Sequence, residues 1–239
     1  MPTKEYLEPE ETEQLEKAAT CLRDQLLFML LRRLGCRISE VLALRVEDID
    51  FIHRRITIQH LKAHINLTCP QLVKGIPCGA RLSRTSVFCP SCGTRVEKAI
   101  KKEQETRRLR QLPIDAETLG VIKIYIDRGA PVDRNGGQFL FNITRQRAWQ
   151  LFRDYGRRLG FPELINTETG KIHHVSPHKL RDAFAINAVK VDDSGDGIRL
   201  LQEHLGHQNI NTTMRYRKVA GQEHDDWFAK IMGGKKVNG

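Results

Sequence analysis

Apolar side chains recur at helical spacing along most of the chain. Residues 21–35, CLRDQLLFMLLRRLG, contain a strongly apolar run that ends in a glycine, which predicts a buried helix closed by Gly35. Residues 145–159, RQRAWQLFRDYGRRL, carry apolar side chains on one face, between a capping Thr144 and a terminating Gly160. Further helices are expected where a capping residue or a proline precedes a periodic segment, after Pro9, Ser39, Asp115 and Ser176, on both sides of Gly206, and over 222–232.

Two other segments alternate between apolar and polar residues, as half-buried β-strands do. They are RRITIQHL at 54–61 and RRLRQLPI at 107–114, and the first is also rich in β-branched residues. We expect the two strands to pair as a hairpin, with the intervening segment inserted at its tip. The predicted fold is therefore mainly α with a small antiparallel β-sheet, an α+β arrangement.

The inserted segment holds four of the six cysteines. Cys89 and Cys92 form a tight CPSCG knuckle, and Cys69 and Cys78 form a similar pair, CP…CGARL, with a longer loop between them. Four thiolates complete a tetrahedral Zn²⁺ site and leave no open position for a substrate. We therefore predict a structural zinc ribbon over residues 64–98.

Alternatives to this metal site stay open. A disulfide pair would use the same cysteines, although disulfides are rare in the reducing compartment expected for this chain. His60 or His64 could replace Cys69 as a ligand. The two remaining cysteines, Cys21 and Cys36, are interpreted as ordinary packing residues.

The charge of the chain indicates an acidic partner. Lys and Arg outnumber Asp and Glu by ten, and the isoelectric point is about 9.5. Basic residues cluster at 101–110, 153–160 and 171–181, which favours nucleic acid over a uniformly solvated surface. No apolar run approaches the ~20 residues that span a bilayer. The acidic N-terminus does not resemble a signal peptide. We expect a cytoplasmic, nucleoid-associated protein with no membrane partner.

Candidate chemistry centres on HLGHQNINTTMRYRK at 204–218, where Tyr216 lies among cations. His178 and Arg181 share one face of a predicted helix, in the first turn, where free N–H groups favour an anion. Arg37 precedes another helix in the same way. Forked guanidinium groups suit a phosphate, nearby cations are expected to lower the pKa of the phenol, and a tyrosine can attack phosphorus.

Each of these residues also has an ordinary structural explanation. Arg37 could cap its helix or pair with Glu40, His178 could be a surface residue at a helix start, and His207 could be a hydrogen-bonded turn histidine. The residues taken singly favour these explanations.

Three segments together resemble the signature blocks of tyrosine recombinases, the family of lambda integrase and the Xer recombinases. They are LGCRISEVLALRVEDID, PHKLRDAFA and LLQEHLGHQNINTTMRYRKV, and the resemblance covers most of residues 8–220 apart from the cysteine segment. It implies a DNA breaking–rejoining catalytic domain made of residues 1–63 and 99–239. The N-terminal core-binding domain of larger family members is expected to be absent.

The resemblance also implies a role for each matching residue. Tyr216 corresponds to the nucleophile, and Arg37 and Arg181 to the arginines that hold the scissile phosphate. His178 is expected to assist proton transfer, and His207 to bind a phosphate oxygen.

A lysine that protonates the leaving 5′-oxygen is also implied. Lys62 is our candidate, and Lys101 and Lys102 are alternatives because the cysteine segment obscures the correspondence.

The implied function is site-specific recombination of double-stranded DNA through a 3′-phosphotyrosyl intermediate, without ATP or a catalytic divalent metal. The working form would be a homotetramer on DNA, with a monomer in solution left open. The helix at 222–232 would dock on its own or a neighbouring protomer. Two other functions are weighed: nicking and closing of DNA like a type IB topoisomerase, and DNA-binding regulation by an inactive copy of the fold.

Overall fold

The computed structural model describes residues 4–59, 64–83, 85–96, 100–104, 109–134, 136–166, 169–220 and 231. The chain divides into two compact units. The helical unit comprises Met1–Ile58 and Arg110–Gly239, and the cysteine unit comprises Gln59–Leu109. The insertion expected over 64–98 lies within the cysteine unit, which extends beyond it at both ends.

The helical unit is built mainly from helices. In chain order they are α1 (Pro9–Lys17), α2 (Leu22–Leu34), α3 (Ile38–Leu42), α4 (Ala116–Asp127), α5 (Arg145–Arg158), α6 (Pro177–Val191), α7 (Gly195–Leu205) and α8 (Ile210–Ala220). These confirm the helices predicted up to α8. The helix predicted over 222–232 falls outside the described residues, except for Ile231.

The strands of this unit are short. They are β1 (Ile49–Asp50), β2 (Arg55–Gln59), β8 (Leu109–Pro113), β9 (Val132–Arg134), β10 (Gly137–Phe139), β11 (Leu164–Ile165) and β12 (Ile172–His173). β2 lies between β1 and β8 in one sheet, which confirms the predicted pairing of the two alternating segments. β9 pairs antiparallel with β10, and β11 with β12. Helices with small sheets confirm the predicted fold class.

The hydrophobic core of the helical unit forms around α2. Its residues from Leu26 to Leu31 are all buried, as expected for a helix that is apolar on nearly every side. The Phe28 ring meets those of Phe152 and Tyr155 on α5 edge-to-face, with centroids 4.7 and 4.9 Å apart. Full burial of one such side chain contributes roughly 1.5–3 kcal/mol. This packing therefore fixes the position of α5 relative to α2.

A smaller apolar cluster joins the last three helices. Ala185 and Val189 of α6 pack with Ile198 and Leu201 of α7, and Tyr216 of α8 packs against them. The relative positions of α6, α7 and α8 are thereby set by burial of apolar side chains.

Two predictions about helix starts and cysteines are wrong. Arg37, not Ser39, is the N-cap of α3, because the Glu40 carboxylate accepts from the backbone N–H of Arg37 and begins the helix there. Cys21 is exposed at the N-cap of α2, whereas Cys36 is buried as expected.

The cysteine unit has its own small sheet and core. β3 (His64–Thr68) lies between β6 (Arg81–Leu82) and β7 (Ile100–Gln104), and β4 (Leu72–Val73) pairs with β5 (Ile76–Pro77). Its buried centre consists of Cys69, Leu82 and Cys89. None of the helices in the described ranges is long and apolar enough to cross a membrane.

Candidate active site

Arg181 is buried where the ends of α2 and α7 meet α6. Its Nη1 donates to the carbonyl of Gly35 and its Nη2 to the carbonyl of Leu205, both at 2.8 Å. These carbonyls lie at helix C-termini, where intrahelical partners are lacking and a cation is favoured. Burial, and then the charge of Arg37, lower the pKa of Arg181. A guanidinium remains protonated in proteins, so the site retains a fixed positive charge.

His207 follows the left-handed Gly206 that ends α7 and contacts Arg181. Its Nε2 is 3.0 Å from Arg181 Nη2, and its Nδ1 is 2.9 Å from the Thr213 hydroxyl. Because arginine can only donate, Nε2 is the acceptor, so the ring proton lies on Nδ1 and points to Thr213. Burial, and then Arg181 and Arg37, lower the pKa of His207 to about 4. The imidazole is therefore neutral near pH 7.

Arg37 is held by a buried carboxylate. Its Nη1 is 3.0 Å from Oε1 of Glu40, and Arg110 Nη2 of β8 is 2.8 Å from Oε2 of the same residue. Burial alone would raise the pKa of Glu40, but Arg110 and Arg37 lower it to about 2. The Arg37 side chain remains one-third exposed (34%). An ionised Glu40 thus holds the accessible guanidinium of Arg37 in place. The charge of Arg37 lowers the pKa values of Arg181 and His207.

Tyr216 is partly buried on α8, and its phenol donates to Oδ1 of Asp182 at 3.1 Å. Its ring lies nearly parallel to that of His207, with centroids 6.2 Å apart. Burial, and then the charge of Asp182, raise the pKa of Tyr216, and these effects outweigh the opposing charges of Arg181 and Arg215. The expectation that nearby cations lower this pKa is therefore wrong, since the phenol is half-buried beside a carboxylate.

His178 is mostly exposed in the first turn of α6. Its Nδ1 is 3.4 Å from the Asp182 oxygen that accepts from Tyr216, and Lys179 Nζ is 3.8 Å from the other carboxylate oxygen. A cavity of about 890 Å³ opens here, and its lining includes His178, Lys179, Asp182, Arg215 and Tyr216. Tyr216 and His178 are thus joined through Asp182 at the edge of a basic cavity.

The structure brings most of the predicted site residues together. Arg181 and His207 touch, Tyr216 lies beside His207, and His178 meets Tyr216 through a shared carboxylate. Lys62 lies outside the described residues. Lys101 and Lys102 lie in β7, opposite residues 67 and 66 of β3.

Sequence reasoning missed two polar residues. Asp182 is one helical turn beyond His178, a spacing that would have placed both on one face of α6. Arg110 had no such signal, because its contact with Glu40 joins residues 70 positions apart.

The four clustered cysteines meet at one point. Their sulfur atoms lie within 4.8 Å of one another, with Cys69–Cys92 and Cys78–Cys89 both at 3.8 Å. Tetrahedral zinc bonds of ~2.3 Å would place sulfur atoms ~3.8 Å apart. All six cysteines of the chain are free thiols. The donor set and its spacing fit a metal ion.

Comparison with known proteins first gives a family-level match. The model of the phage integrase family matches residues 5–73 and 88–223. Both matched ranges include parts of the helical unit, and the second contains the segment from α6 to α8. The intervening residues, 74–87, belong to the cysteine unit.

Two curated relatives illustrate the range of similarity. Tyrosine recombinase XerA of Pyrococcus horikoshii is 24% identical over 213 residues, which cover 89% of this chain and 56% of the relative. Type 1 fimbriae regulatory protein FimE of Escherichia coli is 26% identical over 220 residues, which cover 90% of this chain and 86% of the relative. The chain therefore spans little more than half of XerA but most of FimE.

A solved structure shares the fold. The Tn1549 transposon integrase in complex with transposon right end DNA matches with a TM-score of 0.61 and 18% identity, over 97% of this chain and 66% of that one. At this identity the likeness concerns the fold.

Proposed function

Because this chain belongs to the phage integrase family, we propose that it is a site-specific DNA recombinase with Tyr216 as the nucleophile. The observation that carries the proposal is the contact of Arg181 with His207 beside Tyr216, with Arg37 held close by. A phosphodiester placed there would meet guanidinium donors and a phenol together. The net charge of +10 supports double-stranded DNA as the partner.

The chemistry assigned to these side chains is transesterification. The Tyr216 oxygen attacks the phosphorus, the bond to the 5′-oxygen breaks, and a 3′-phosphotyrosyl link and a 5′-hydroxyl result. A 5′-hydroxyl from a partner strand then reverses the step. One phosphoester replaces another, so no ATP is required.

Arg181 and Arg37 supply the positive charge for this reaction. Among the described contacts, Arg181 uses three N–H donors, on Gly35, Leu205 and His207, out of the five that a guanidinium carries. The positive charges of Arg181 and Arg37 suit the oxygens of a phosphate, on which negative charge develops during attack. Preorganised donors of this kind each typically contribute about 3 kcal/mol or more to the transition state.

His178 and a lysine complete the proposed machinery. His178 lies within 3.4 Å of Asp182 and assists proton transfer at the phenol. The lysine, Lys62 or one of Lys101 and Lys102, protonates the leaving 5′-oxygen. We further propose that recombination proceeds in a tetramer on DNA, because exchange between two duplexes requires four cleavages.

Covalent trapping tests this function. Wild-type protein is incubated with a library of nicked duplexes of randomised sequence, in which loss of a short 5′-hydroxyl fragment prevents rejoining. We expect an adduct that survives denaturation, with the 3′-phosphate on Tyr216. The duplex sequence recovered from the wild-type adduct is called the captured sequence. Tyr216→Phe should bind the captured sequence yet form no adduct, since only the hydroxyl is lost. An adduct in the Phe variant would refute the assignment of the nucleophile. A recombinase should join strands from two duplexes of the captured sequence, whereas a nicking–closing enzyme should only reseal the strand that it cut.

We also propose that Cys69, Cys78, Cys89 and Cys92 hold one structural Zn²⁺. Four sulfur ligands close the coordination sphere, so the ion would stabilise the cysteine unit, whose small core consists largely of these residues. Metal analysis should give about one zinc per chain. Cys89→Ser should lose it, and Cys21→Ser, which changes an exposed thiol outside the cluster, should keep it. Full zinc content in Cys89→Ser would contradict the site.

A further inference from the structure

Asp182 is a carboxylate within a site dominated by cations. It follows Arg181 in α6, and its side chain is only 20% exposed. Its Oδ1 accepts a hydrogen bond from the phenol of Tyr216 at 3.1 Å and lies 3.4 Å from His178 Nδ1. Its Oδ2 lies 3.8 Å from Lys179 Nζ. The roles implied by family resemblance do not include this residue.

Tyr216 must release its proton as its oxygen bonds to phosphorus, and the structure limits where that proton can go. The Nε2 of His207 is occupied by Arg181, and its Nδ1 carries a proton directed at Thr213. His178 reaches the phenol through Asp182. Among the described side chains, Asp182 is therefore the acceptor already bonded to the reacting oxygen.

We propose that Asp182 accepts the proton of Tyr216 during strand cleavage and returns it during rejoining, an inference that rests on the recombinase function proposed above. As the Tyr216 oxygen bonds to phosphorus, its proton passes to Oδ1 of Asp182. The electron pair of the broken P–O bond leaves on the 5′-oxygen, which takes a proton from the catalytic lysine. Rejoining reverses both transfers, so the protein ends in its starting state.

The surroundings of the pair fit such a transfer. Burial and Asp182 keep Tyr216 protonated at neutral pH, so the proton must move as the bond forms, which is general base catalysis. His178 and Lys179 face the carboxylate from α6, and Arg181 and Arg215 act on the phenol.

Asp182→Asn separates proton transfer from hydrogen bonding. The amide oxygen can still accept from the phenol, but it cannot take up the proton. We expect single-turnover adduct formation on the captured nicked duplex to slow by about 10²–10⁴-fold, with DNA binding unchanged. Raising the pH should accelerate the Asn variant more than the wild type, because hydroxide replaces the missing base. Asp193→Asn is the matched control, since this exposed carboxylate contacts Arg217 and should leave the rate unchanged.

Other outcomes overturn the inference. Faster cleavage by Asp182→Asn would show that the carboxylate restrains the phenol, and an unchanged rate would show that the proton leaves by another route. A slow variant with no extra acceleration at high pH would indicate a positioning role only. If wild-type protein forms no adduct, the recombinase function itself fails. Ultraviolet titration without DNA tests the contact between Tyr216 and Asp182 without measuring cleavage. Asp182→Asn should lower the pKa of Tyr216. An unchanged pKa would refute the contact.

Discussion

Replacement of Gly35 by alanine tests the junction that holds Arg181. Gly35 ends α2 with φ +57°, in the left-handed region that favours glycine, and its carbonyl accepts from Arg181. A Cβ at this position would lie 2.4 Å from a ring atom of Phe184. The Phe184 ring is stacked on the ring of His204, whose Nε2 is 3.0 Å from the Leu34 carbonyl. Removing the clash would therefore require Phe184 and His204 to move together.

The expected loss of stability has two parts. The left-handed backbone costs a non-glycine residue roughly 1–2 kcal/mol. Overpacking against Phe184 adds about 1–3 kcal/mol. Gly35→Ala should therefore lower the free energy of unfolding of the helical unit by about 2–5 kcal/mol, or the melting temperature by about 4–20 °C for a chain of this size.

Gly160→Ala supplies the matched control. Gly160 follows α5 with φ +67°, and a Cβ there would meet nothing within 4 Å. This variant should show the backbone cost alone, about 1–2 kcal/mol. The difference between the two variants measures the contact with Phe184.

Urea unfolding followed by tryptophan fluorescence is the appropriate assay. The chain has two tryptophans, and Trp227→Phe leaves Trp149 on α5 as the reporter of the helical unit. Adding Phe184→Leu to Gly35→Ala should recover part of the loss, a coupling that a double-mutant cycle detects. Equal losses in Gly35→Ala and Gly160→Ala would refute the packing argument.

Three further predictions concern ionisable groups. Glu40→Gln should destabilise the helical unit by about 3–5 kcal/mol, because it removes the charge that compensates Arg110, whereas Glu47→Gln at an exposed pair should cost at most about 1 kcal/mol; urea midpoints compare them. The depressed pKa of His207 means that its contribution to stability is present above pH 6.5 and is lost as the pH falls towards 4; His207→Gln should show a flatter decline of the urea midpoint across that window. In ultraviolet titration, the wild-type minus Tyr216→Phe difference should show no phenolate at pH 10, the ordinary pKa of tyrosine; half-ionisation there would contradict the buried contact with Asp182.

Elements with strong periodicity were predictable from the sequence. α2 combines a continuous apolar run with a terminating glycine, and α5 combines an apolar face with the capping Thr144 and a glycine after its end, so pattern and local chemistry agree. The two-residue strands of the cysteine unit were not predictable, because a segment that short shows no alternation. The cysteine cluster was predictable as a unit, since four similar ligands recur in a short segment and meet at one point.

The candidate site divides in the same way. The resemblance of three segments to the signature blocks of the family indicated Arg181, His207 and Tyr216, and the helices bring these residues together. The protonation of Tyr216 could not be inferred, because the sequence shows its basic neighbours but not its burial or the carboxylate that α6 presents. The pairing of Arg37 with Glu40 was among the explanations that the sequence offered. The contact of Glu40 with Arg110 was not, because the two residues lie 70 positions apart.

The segment Gln59–Leu109 is inserted into the helical unit between β2 and β8. These two strands are hydrogen-bonded neighbours in one sheet. The inserted segment also has its own buried centre. Its ends are therefore already joined by the sheet, whatever lies between them. Each doubling of the length of a flexible connection costs only about 0.6 kcal/mol in closure entropy. The connection between β2 and β8 is therefore a point of insertion in the fold. A plain turn, a longer ribbon or a different ligand-binding module could replace it without changing the path of the chain around Tyr216.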